Sequence, residues 1–303
     1  MSSVVVSSGV TIEYEVRGDG DPLLLVMGLG AQLASWPDAF VDGLVERGFR
    51  VILFDNRDSG LSSGSTVPAP QVSSLVAASV ARRFASAPYL LADMARDAID
   101  LLDALGVERT HVVGASMGGM IAQEMAIGHG PRLRSLTSIM STTGNRRVGQ
   151  PTPAVLAKMA RLARGSAATA VERQIEISRL TSGSSFDEAE VRRLSERVVR
   201  RAYSPEGTLR QTAAIMASPD RTAGLRRVRL PTLVVHGLED TLVRPSGGLA
   251  TTRAVPGARM VAFPDMGHNL PASRIGEMHD AIVANAGRAG LVSDAGWPPP
   301  AGR

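Results

Sequence analysis

Short runs of aliphatic and β-branched residues recur along this chain with amphipathic helical stretches between them, and that alternation restricts the fold more than any other feature. Buried-strand patterns fall at Leu23–Met27, Val51–Phe54, Val112-Val113 and Leu136–Met140. Helical periodicity lies between them, near Trp36–Arg47, Leu90–Leu105 and Met117–Ile127. Strands separated by helices imply βαβ crossovers, hence a mostly parallel sheet covered on both faces. The first segments differ: Val4–Val6 and the alternating Thr11–Val16 predict an antiparallel start.

The alternation stops between Asn145 and Arg229. Helical patterns at Ala154–Ala163, Ala168–Leu180, Asp187–Tyr203 and Gly207–Met216 are broken by glycine and proline, with no convincing strand. The pattern then resumes with a strand at Pro231–Val235, a helix near Ser246–Arg253, a strand at Arg259–Phe263 and a helix at Ser273–Ala286. The expected organisation is therefore a core built from 1–144 and 230–290, a helical insertion over 145–229, and a flexible tail over 291–303. A chain of 303 residues suits one domain with an insertion as well as two domains.

Composition removes several classes of function. With 44% hydrophobic and 20% charged residues the chain can bury a core and is not a disordered one. The longest apolar run, Leu23–Ala31, is less than half of what a membrane-spanning helix needs, about twenty residues. The N-terminus lacks the features of a secretory signal, so a cytoplasmic protein is expected. No cysteine is present, which excludes disulfides, thiolate chemistry and cysteine-bound metals. A net charge of +4 gives no reason to expect a nucleic-acid partner. Its distribution is uneven, since residues 145–229 carry 17 basic and 8 acidic side chains. Such a basic face is most often solvated surface; the alternative is a peripheral contact with an anionic membrane.

The chemistry concentrates at Val112-Val113-Gly114-Ala115-Ser116-Met117-Gly118-Gly119-Met120, a G-x-S-x-G between a strand and a helix. A turn tight enough to push a hydroxyl above the sheet needs small residues on either side, here Gly114 and Gly118. Ser116 is the candidate nucleophile; the plainer reading is a helix-capping serine. Such a serine needs a base, itself held by an acid. Of five histidines, His111 starts a strand and so lies at the opposite edge of the sheet. His129 ends a helix, His279 lies within one, and His236 ends an apolar strand, where a satisfied core histidine is expected. His268 alone sits on a glycine-containing loop directly after the last strand, at the edge where reactive groups of parallel sheets gather. Asp240 follows the strand Leu233–Val235 at the same edge and is the candidate acid, with Glu239 the alternative. Backbone donors for an oxyanion are expected from Met117, at a helix N-terminus, and from Leu29 in the loop Met27-Gly28-Leu29-Gly30-Ala31, whose glycines Gly28 and Gly30 let the chain fold over the site.

The chain order Ser116, Asp240, His268, with the elbow and the loop Phe54-Asp55-Asn56-Arg57-Asp58-Ser59-Gly60-Leu61-Ser62, resembles the α/β-hydrolase superfamily from about Val10 to Ala286. The loop is similar to the family's D-x-R-G-x-G-x-S segment, which orders the core. Asp58 in place of the usual glycine, and Met27-Gly28 in place of His-Gly, are similar to the anthracycline (aclacinomycin) methyl esterases, which cleave a methyl ester from a polyketide. The resemblance implies an eight-stranded, mostly parallel sheet with residues 145–229 as a lid, with Met159 and Met216 as candidates to line an apolar pocket. It also implies a serine hydrolase that cleaves a small, largely apolar carboxylic ester and needs no metal or organic cofactor. Without the family's bracing histidine, the oxyanion loop is expected to be held by packing. Thioesterase, lactonase, C–C hydrolase and cofactor-free haloperoxidase or perhydrolase chemistry use the same triad, and a non-catalytic small-molecule receptor is the reading of a different class.

Overall fold

The computed structural model describes residues 1–75, 85–162 and 167–291. Its eight strands are β1 (Ser2–Val5), β2 (Thr11–Arg17), β3 (Asp21–Val26), β4 (Phe49–Phe54), β5 (Thr110–Ala115), β6 (Leu133–Ile139), β7 (Thr232–Gly237) and β8 (Arg259–Phe263). They form one sheet in the order β1-β2-β4-β3-β5-β6-β7-β8. β1 pairs antiparallel with β2 and β2 antiparallel with β4, whereas every other pairing is parallel. The helices described are α1 (Asp38–Glu46), α2 (Leu91–Ala104), α3 (Met117–Gly128), α4 (Pro153–Leu162), α5 (Ala170–Thr181), α6 (Glu188–Arg201), α7 (Pro205–Ala217), α8 (Thr222–Leu225), α9 (Ser246–Ala254) and α10 (Ile275–Gly287). Of the expected tail, everything from residue 292 onward lies outside the described residues, as does Ala163 at the end of an expected helix.

β5 and β7 are buried along their whole length, which is why their sequences lack polar alternation. Successive side chains nevertheless point to opposite faces. Leu24, Val26, Ile52 and Val112 enter one core with α2 and α3, while Leu23, Leu25, Val51, Leu53 and Val113 enter the other with α1 and α10. Each such aliphatic side chain contributes about 1.5–3 kcal/mol by leaving water. On α2 the buried residues Leu91, Met94, Ala95, Ala98, Leu101 and Leu102 repeat at helical spacing and form the stripe that seats the helix on the sheet.

Between β6 and β7 the regular elements among the described residues are all helices, with no strand among them. Two of these helices start on recognisable caps. Asp187 accepts from the Glu190 N–H at the head of α6, and Ser204, followed by Pro205, accepts from the Gly207 N–H at the head of α7. α8, too short to leave a periodic pattern, was not anticipated. The expectation that the basic residues here are merely solvated fails for four arginines. Arg197 donates to Asp38 and to the carbonyls of Ala34 and Trp36, and Arg201 pairs with the fully buried Asp55 at 2.6 Å. Arg210 pairs with buried Asp58, and Arg221 donates to Gln123 and to the Thr142 carbonyl. Core carboxylates thus absorb part of the segment's positive charge.

The chain passes from β3 outward to β4 and then returns across β3 to form β5 on its other side. That reversal opens a crevice outside the carboxyl ends of β3 and β5, the place where open parallel sheets bind ligands.

Candidate active site

Ser116 stands at this crevice, between β5 and α3, with φ 57° and ψ −120°. Its N–H donates to the Ile139 carbonyl and its carbonyl accepts from Ser141 Oγ, so the strained turn is pinned on both sides. Side chains do not fit around it. A Cβ on Gly114 would overlap the Gly118 carbonyl, and one on Gly118 would overlap the Val26 carbonyl. Gly119 is equally constrained, since a Cβ there would stand 2.6 Å from Ser141 Cβ. A Cβ on Gly28 would come within 3.6 Å of Ser116 Oγ, so the loop after β3 passes directly beside the hydroxyl.

The structure brings Ser116, His268 and Asp240 together. His268 Nε2 lies 2.9 Å from Ser116 Oγ, and His268 Nδ1 lies 2.7 Å from Asp240 Oδ2. A carboxylate only accepts, so Nδ1 carries the proton and Nε2 is left to accept from the serine hydroxyl. The other oxygen of buried Asp240, Oδ1, accepts the N–H groups of Leu242 and Val243, which fixes the carboxylate plane. Glu239 does not compete for the imidazole: its carboxylate accepts from the Ser184 hydroxyl and N–H.

The remaining histidines serve the fold. His111 is buried between Ser135 and Asp21 at the amino end of β5, and His129 caps the end of α3. His279 donates to the Phe40 carbonyl. His236 corrects an expectation, because it is only half satisfied. Its Nε2 donates to the Val243 carbonyl at 2.7 Å, while Nδ1, fully buried, has no partner among the described residues. Burial holds its imidazole below the ordinary value, so it stays neutral beside the Asp240 carboxylate.

The N–H groups of Met117 and Leu29 have no acceptor among the described residues. The loop bearing Leu29 is held by hydrogen bonds as well as by packing, which corrects the sequence expectation. Asn56 Nδ2 donates to the Met27 carbonyl, Ser59 Oγ to the Ala31 carbonyl, and Asp55 accepts the Leu33 N–H. From α7, Gln211 accepts the Gly30 N–H at 2.8 Å. Sequence reasoning missed Asn56 and Gln211, because a side-chain amide in a loop or helix reads the same whether it braces a carbonyl or faces water. Asp58, the residue that departs from the family pattern, adopts φ 66° and accepts from Arg210 and from the Tyr89 hydroxyl; burial and that bond push the phenol well above its usual range.

The helical segment also grips the loops that carry Asp240 and His268. The Thr181 carbonyl at the end of α5 accepts the His268 N–H at 2.7 Å, and the Ser182 carbonyl accepts the Gly267 N–H. Thr241 Oγ1 donates to the Leu180 carbonyl, and Asn269 Nδ2 donates to Ser185 Oγ. Met216, with Val67, Pro68, Leu75 and Ala213, lines an apolar cleft of about 340 Å³ beside α7, while Met159 is half-buried. A second cavity, of about 460 Å³, is bordered by Asp21, Arg50, Arg109 and Arg134 at the amino ends of β3 and β6, away from Ser116. Among the described residues no three His, Asp or Glu side chains gather as a metal site, and no helix is long and apolar enough to cross a membrane.

A family model described as the alpha/beta hydrolase fold matches residues 21–273. The chain belongs to the α/β-hydrolase family. Rhodomycin D methylesterase DnrP of Streptomyces peucetius is 30% identical to it, over 93% of this chain and 95% of that protein. Among solved structures, a hydrolase from Pseudomonas aeruginosa PA01 superposes with a TM-score of 0.70 at 26% identity, covering 94% of this chain and 98% of the other. A thermophilic esterase from Thermogutta terrifontis superposes with a TM-score of 0.72 at 25% identity, covering 95% and 98%. This hydrolase is thus similar along nearly its whole length to proteins named as esterases.

Proposed function

We propose that this α/β hydrolase is a serine esterase that cleaves a small, largely apolar carboxylic ester through an acyl-enzyme intermediate, with residues 145–229 forming the cap over its site. The observation that carries the reading is the continuous chain from Ser116 Oγ through His268 to the buried Asp240, at 2.9 and 2.7 Å, on a strained elbow.

In this reading His268 Nε2 takes the proton of Ser116 as the hydroxyl oxygen attacks the ester carbonyl, and Asp240 stabilises the imidazolium that forms. The carbonyl oxygen, now negative, receives the N–H groups of Met117 and Leu29, each worth about 10²- to 10³-fold in rate. Collapse of the tetrahedral adduct breaks the C–O bond, and the alkoxide leaves as an alcohol carrying the proton from His268. Water then repeats the sequence on the acyl-enzyme and releases the acid. The similarity to a rhodomycin D methylesterase supports a methyl ester as the substrate class.

A fluorophosphonate probe followed by peptide mapping tests the reading: stoichiometric labelling at Ser116, abolished by Ser116→Ala, is expected. An unlabelled, folded protein would point to a small-molecule receptor. Rates on methyl esters, p-nitrophenyl esters, acyl thioesters and a lactone rank the ester against the other chemistries that share such a triad; fastest turnover of the thioester or lactone would overturn the ester assignment.

A further inference from the structure

We propose that Gln211, on cap helix α7, is a positioning residue that sets the oxyanion loop in its donating conformation. The proposal rests on the esterase reading, because it assigns a purpose to the Leu29 N–H.

Gln211 is fully buried, and both ends of its amide are used. Oε1 accepts the Gly30 N–H and Nε2 donates to the Arg57 carbonyl, each at 2.8 Å. Gly30 N–H can only donate and the carbonyl can only accept, so the partners themselves fix the amide's orientation. The helix also presses on the loop at that point. Gly30 lies at φ 66°, and a Cβ there would stand 2.8 Å from Thr208 Oγ1 of the same helix. A residue that needs the left-handed region and has no room for a side chain takes its shape from the surface against it.

A count of the loop's donors gives the consequence. Gly30 N–H goes to Gln211, Ala31 N–H to the Gly28 carbonyl, Gln32 N–H to Ser35 Oγ and Leu33 N–H to Asp55. From residue 29 to 33 the Leu29 N–H is the one without an acceptor among the described residues. By engaging the neighbouring N–H, Gln211 determines which donor of the glycine loop stays open toward the site. The bond comes from the cap, so a residue on the substrate-covering segment tunes transition-state stabilisation in the core. With Met27 in the position where the family usually has a histidine, Asn56 at one end of the loop and Gln211 in its middle supply the bracing.

Two substitutions separate positioning from mere stability. Gln211→Met keeps the shape and loses both hydrogen bonds. Gln211→Glu keeps an acceptor for the Gly30 N–H but sets a carboxylate against the Arg57 carbonyl, so it destabilises at least as much. On the best ester of the panel, Gln211→Met is expected to lower kcat about 10- to 100-fold, part of the value of one oxyanion donor, with KM within about twofold. Fluorophosphonate labelling of Ser116 should slow by a similar factor. Gln211→Glu should keep kcat closer to wild type although its melting temperature is no higher. A kcat that follows melting temperature across both variants, or a folded Gln211→Met with kcat within about threefold of wild type, overturns the proposal. Should Gln211→Met not fold, Gln211→Glu decides alone: a kcat loss above about tenfold refutes it, and a smaller loss supports it. Wild-type labelling at Ser116 reports separately on the esterase reading, whose failure is therefore recognisable by itself.

Discussion

At Ser116 the backbone conformation and the proposed chemistry pull against each other. A φ of 57° with ψ −120° costs a side-chain-bearing residue about 1–3 kcal/mol, whereas glycine enters that region freely. Ser116→Ala and Ser116→Gly should both lower ester turnover by about 10⁴- to 10⁶-fold, since each removes the nucleophile. Their stabilities should differ. Relief of strain outweighs the extra chain entropy that glycine brings to the unfolded state, about 0.4–1 kcal/mol, so the glycine variant should melt about 2–4 °C above the alanine variant. A glycine variant that melts at or below the alanine variant would mean that the turn is not strained. Asp240→Asn isolates the acid in the same way. Asparagine can keep the two backbone bonds at Oδ1 but presents an NH₂ to His268, forcing the wrong tautomer. A loss of about 10⁴-fold in kcat with an unchanged melting curve is expected; retained activity would move the acid's role elsewhere.

At the scale of elements, what could be read from the sequence was the periodic part. Strands and helices of the core fall within a few residues of their expected positions, and the site loops were recognisable because each leaves the carboxyl end of a parallel strand. The helical segment between β6 and β7 was recognisable only as helices. Its way of docking was hidden, because an arginine on the polar face of α6 gives one pattern whether it meets water or, like Arg201, reaches the buried carboxylate of Asp55. Asp55 keeps the N–H groups of Leu33 and Leu61 when Arg201 is lost, yet its charge would stay buried without a cation. Arg201→Met should therefore cost about 3–5 kcal/mol, and adding Asp55→Asn should recover much of it. Urea denaturation of the two single variants and the double variant measures this, and additive losses would show that the pair is uncoupled. The same docking argues against a helical segment that swings freely, since α5 and the turn after it hold the backbone of His268 and Gly267.

For the molecule as a whole, buried histidines couple stability to pH. His111, His236 and His279 are each almost fully buried, and burial is the main cause holding all three imidazoles below the ordinary value; at His111 the nearby Arg134 adds to it. In the unfolded chain they would take up protons near pH 6.5, while in the folded protein they stay neutral to lower pH. Between those limits the unfolded state binds more protons, so stability is fully present above about pH 7 and is lost as pH falls through the histidine range. Each contributes a slope of up to about 1.4 kcal/mol per pH unit, making the combined dependence steep. Guanidinium unfolding at pH 7.5 and 5.5 should show a marked drop in the midpoint. His279→Gln, which keeps a donor for the Phe40 carbonyl, should make the dependence shallower by the contribution of that one histidine. An unchanged midpoint would require these histidines to be protonated in the fold, which their burial disfavours.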